Sequence, residues 1–83
     1  MAHDKEVGKV ITLLSNLKED TSVPRNVKNS IDHIIYTLQE KAEFSILKSK
    51  ALSELDEIGD DFNLESYIRT QIMNIASILE KLG

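Results

Sequence analysis

Residues 60–79 read DDFNLESYIRTQIMNIASIL, and 41 positions earlier residues 19–38 read EDTSVPRNVKNSIDHIIYTL. In register, Glu19-Asp20 falls on Asp60-Asp61, Ser22 on Asn63 and Lys28 on Arg69. Val23, Val27, Ile31, Ile34 and Leu38 fall on Leu64, Ile68, Ile72, Ile75 and Leu79. Apolar side chains three and four positions apart share one face of an α-helix. Each stretch therefore predicts a short acidic turn followed by an amphipathic helix. Ser22 and Asn63 are suitable N-cap residues. Pro24 suits a first helical turn, where its missing N–H removes no internal bond.

The correspondence extends upstream, where Ile11, Leu14 and Leu17 fall on Leu52, Leu55 and Ile58. Val7, Val10, Ile11, Leu14 and Leu17 predict a first helix from about residue 4 to residue 18. Phe44, Leu47, Ala51, Leu55 and Ile58 predict a third, ended by Gly59 in a left-handed conformation. The fourth is expected from residue 64 to residue 82, with Leu82 completing its stripe. Each half thus reads as helix, turn, helix, through duplication or because amphipathic hairpins of similar length resemble one another. Gln39-Glu40-Lys41-Ala42-Glu43 contains no Gly or Pro, so propensity alone would let one helix run through it. At about 100° per residue, however, the stripe ending at Leu38 and the one beginning at Phe44 are roughly 120° out of phase, so a break or sharp bend is expected. Two hairpins burying their stripes against each other predict an all-α, single-domain antiparallel four-helix bundle spanning residues 1–83. A short solenoid of two helical pairs is the alternative.

Composition fits this. Of 83 residues 34 are apolar and 24 charged, with no cysteine and a net charge of −4. A chain this short holds one core. Without cysteine there is no disulfide framework, zinc–thiolate site or thiol nucleophile. No apolar run approaches the ~20 residues of a membrane span, and the charged Met1–Glu6 segment does not resemble a signal peptide, so a soluble, cytoplasmic domain is expected. The charge is uneven: residues 1–41 carry six basic and six acidic groups, residues 42–83 four and eight. Net repulsion from phosphate disfavours general nucleic-acid binding but leaves room for a local basic patch.

The run Asp20-Thr21-Ser22-Val23-Pro24-Arg25-Asn26-Val27-Lys28, with Asp60-Asp61-Phe62-Asn63 and Arg69-Thr70, resembles a family of small archaeal proteins, uncharacterised protein family 0147. The resemblance spans nearly the whole chain. It departs at Leu64-Glu65, where the family tends to place a proline after the asparagine, and near Met73, where an aromatic is usual. It implies a four-helix bundle and supplies no activity to transfer.

No catalytic constellation emerges. His3 lies at the N-terminus, and His33 lies about 80° from its helix's stripe, which reads as a solvated surface histidine. No Walker loop, dinucleotide fingerprint or His-x-x-x-His pair occurs, and no cofactor is expected. Asp56, Glu57, Asp60, Asp61 and Glu65 crowd the second turn, but without EF-hand spacing; Asp60, Asp61 and Glu65 suit the positive start of a helix instead. Two features remain. Arg25 and Lys28 occupy the first turn of a helix, where cations are mildly unfavourable. Ion pairs with Glu19 and Asp20 would compensate, or Ser22, Arg25 and Lys28 would form an anion site using free N–H groups. Finally, Tyr36, Ile46 and Met73 fall off their stripes, and Leu13, Ile35 and Leu52 lie at stripe edges. Gathered into one patch, these six would form a surface for a protein partner or a homodimer. A non-enzymatic interaction module is therefore the expected function, with anion or nucleic-acid binding at Arg25 and Lys28 as the alternative.

Overall fold

The computed structural model describes residues 4–61 and 63–82. His3 and Phe62 lie outside them. Four helices account for most of these residues: α1 (Asp4–Lys18), α2 (Arg25–Leu38), α3 (Phe44–Gly59) and α4 (Ser66–Glu80). The break between α2 and α3 falls where the two stripes lose phase.

The helices form a closed ring. α1 packs against α2 and α4, and α3 packs against α2 and α4, whereas the diagonal pairs bring no Cα atoms within 8 Å of each other among the described residues. With short links, neighbours in the chain run antiparallel, as in an up-and-down bundle. Contact between α1 and α4 excludes the open solenoid.

The 41-residue correspondence is a correspondence of structure. Val10, Leu14, Leu17, Val23, Val27, Ile31, Ile34 and Leu38 are all buried, and so are Ala51, Leu55, Ile58, Leu64, Ile68, Ile72, Ile75 and Leu79, their counterparts 41 residues on. The two turns match bond for bond. Asp20 N–H donates to Leu17 O and Val23 N–H to Asp20 O, both at 3.1 Å. Asp61 N–H donates to Ile58 O at 3.1 Å and Leu64 N–H to Asp61 O at 3.2 Å.

The caps differ from expectation. Ser22 and Asn63 are not N-caps. Those positions belong to Pro24 and Glu65, which make no side-chain cap bond. Instead Asp20 Oδ1 accepts the Ser22 N–H at 2.8 Å and Asp61 Oδ1 accepts the Asn63 N–H at 2.9 Å. An aspartate that bonds the backbone two residues on closes the turn early. Val23 and Leu64, each at a bend, then drop into the core before each helix begins, so α4 starts at Ser66 rather than at Leu64. Its last turn ends at Glu80, where Lys48 Nζ of α3 donates to Glu80 O and Leu82 O, both at 2.9 Å. A cation supplying donors to free terminal carbonyls stabilises a helix end. Gly59 is not left-handed. It is the last residue of α3, followed by Asp60 at φ −83°, ψ −4°.

Candidate functional site

The 41-residue correspondence lets equivalent seams of the bundle be compared. A shift of 41 residues carries α2 onto α4 and α1 onto α3, so the α2/α3 seam corresponds to the α4/α1 seam. The two are built differently. Across α2/α3, His33 Nδ1 lies 2.5 Å from Glu54 Oε1, and Thr37 is buried. The positions equivalent to Glu54, His33 and Thr37 are Leu13, Asn74 and Ile78. Among the described residues no polar bridge spans that height of the α1/α4 seam. It is the looser contact and opens into a groove of about 510 Å³.

Leu17 and Ile75, both core residues, form the floor of this groove. Leu13 and Ile78 stand on its rims, 39% and 40% exposed, beside Asn16, Gln71 and Asn74. Its far end is closed by Asp20, whose two carboxylate oxygens accept the Tyr67 hydroxyl at 3.1 Å each. Asp20 thus closes the first turn and ties that turn to α4. A shallower depression lined by Lys5, Gly8, Lys9, Thr12 and Leu13 continues from Leu13 toward the start of α1.

Apart from Asp20, the side chains lining the groove are uncharged. α1 has no charged side chain between Lys9 and Lys18, and α4 has none between Arg69 and Glu80. α2 and α3, by contrast, carry charges along their lengths, including Lys28, Asp32, Lys50, Glu54 and Asp56. Charge depletion combined with exposed apolar side chains distinguishes the core of a binding surface from ordinary surface.

The six residues expected to gather into a patch do not do so. Leu13 alone lines the groove. Ile35 and Leu52 pack against the core, because stripe-edge positions turn inward where helices meet closely. Tyr36 and Ile46 remain outside, at 71% and 49% exposure, so the α2–α3 break does not rotate them inward. Met73 is 66% exposed and borders a separate hollow with Gly59, Ser66, Arg69 and Thr70. Two residues were missed. Ile78 sits roughly 70° from the centre of the α4 stripe. Its partner across the groove, Leu13, sits at a similar angle on α1. Tyr67, 45% exposed, had no apolar pattern to mark it.

At the other candidate site, Ser22 is exposed and its N–H is already taken by Asp20. Arg25 and Lys28 make no ion pair among the described residues, so the expected compensation by Glu19 and Asp20 is not formed. The pairing cation is Lys18, whose Nζ lies 2.6 Å from Asp32 Oδ1 of α2. Among the described residues no three histidine, aspartate or glutamate side chains converge on a point where they could hold a metal, the second turn included. No helix is long and apolar enough to cross a membrane.

Comparison with known proteins places the chain. The model of the uncharacterised protein family UPF0147 matches residues 1–82. The chain belongs to this family. A UPF0147 protein of Metallosphaera sedula is 35% identical over 81 residues, covering 96% of this chain and 91% of that protein. One from Archaeoglobus fulgidus is 35% identical over 79 residues, covering 95% and 91%. The crystal structure of a UPF0147 protein from Thermoplasma acidophilum superposes with a TM-score of 0.89 at 32% identity, over the full length of both chains. The UPF0147 relatives are mostly archaeal, and the family fold is this compact helical one.

Proposed function

We propose that this UPF0147 member is a cytoplasmic, non-catalytic, single-domain interaction module whose working surface is the α1/α4 groove. The observation that carries this is the broken symmetry of the seams. The same bundle joins α2 to α3 with His33, Glu54 and a buried Thr37, and leaves α1 and α4 parted over Leu13 and Ile78. A seam that presents two apolar rims, an apolar floor and amide side chains is suited to receive an apolar helix face. Asn16, Gln71 and Asn74 supply hydrogen bonds at the margin without the desolvation cost of a charge. The groove holds no nucleophile–base pair, which supports binding over chemistry. Anion binding at Ser22, Arg25 and Lys28 is not favoured, because a carboxylate of the chain itself already takes the Ser22 N–H.

The test is a nuclear magnetic resonance titration at low micromolar protein. The probe is an uncharged amphipathic helical peptide with leucines at positions i, i+4 and i+7. Amide shifts at Leu13, Asn16, Gln71, Asn74 and Ile78 are expected to move together. Shifts confined to Tyr36 and Ile46, or no shifts at all, overturn the proposal.

A further inference from the structure

We draw no further inference here: the strongest candidate, the groove of the α1/α4 seam with Leu13 and Ile78 on its rims, belongs to the surface already described, and nothing in the structure shows what covers it.

Discussion

Leu13 and Leu14 are adjacent, identical in type and both helical, and the structure assigns them different work. Leu14 is fully buried among core residues, whereas Leu13 is 39% exposed on the rim of an open groove. Truncating a fully buried leucine to alanine removes its transfer energy and leaves a cavity, at a combined cost of about 3–5 kcal/mol. Truncating Leu13 removes three carbons at about 0.8 kcal/mol each when buried, scaled to the roughly three-fifths that is covered. No enclosed cavity forms, and partial burial in the unfolded chain lowers the figure further, so about 1 kcal/mol is expected. An 83-residue domain has a total stability of about 4–12 kcal/mol. Leu14→Ala should therefore lower the melting temperature by roughly 15–30 °C and Leu13→Ala by roughly 4–8 °C. Urea unfolding followed by circular dichroism measures both. Losses equal to within about 0.5 kcal/mol would refute the reasoning, because Leu13 would then be part of the core rather than of a surface.

Other substitutions probe the turns and ends. A Cβ at Gly59 would meet only Ile72 Cγ2 at 3.8 Å, and one at Gly8 meets nothing within 4 Å. Both glycines are helical, so Gly8→Ala and Gly59→Ala should each raise stability by about 0.5–1 kcal/mol, read as a higher urea midpoint at unchanged slope. Asp61→Ala removes one turn-closing bond and should cost about 0.5–1.5 kcal/mol. Asp20→Ala should cost more, because the Tyr67 hydroxyl loses its partner as well, and Tyr67→Phe in the Asp20→Ala background should then cost almost nothing further. Lys48→Met should lower stability by about 1 kcal/mol and speed amide exchange in the last turn of α4, whose terminal carbonyl at Glu80 loses its donor.

The core of the fold was legible because it depends on period. Ile31, Ile34, Ile68, Ile72 and their neighbours recur at helical spacing, and the stripes that place them on one face are buried along most of their length, with Leu82 only partly covered. The turns were legible as a repeat but misread in detail. Ser22 and Asn63 have the chemistry of caps, yet Asp20 and Asp61 compete for the same backbone groups and prevail by closing the turn two residues sooner. Gly59 has the chemistry of a left-handed terminus, but α3 ends with ordinary right-handed geometry. The functional face was the least legible. Ile35, Leu52, Leu13 and Ile78 all lie near stripe edges, where period alone does not decide exposure. Their fates depend on how closely two helices approach, a property of pairs of elements distant in sequence. One sign of the groove was available in the sequence: the uncharged runs at residues 10–17 and 70–79, which become neighbours only once the ring closes.

A methyl-labelled nuclear magnetic resonance experiment goes most directly to the central claim. The leucine and isoleucine methyls of the chain carry the label, and the uncharged amphipathic helical peptide is added unlabelled. Contacts from the Leu13 and Ile78 methyls to the peptide are the result expected if α1/α4 is the working face. Contacts from Ile46 with Leu13 and Ile78 silent, or no contacts with the peptide at all, would contradict it.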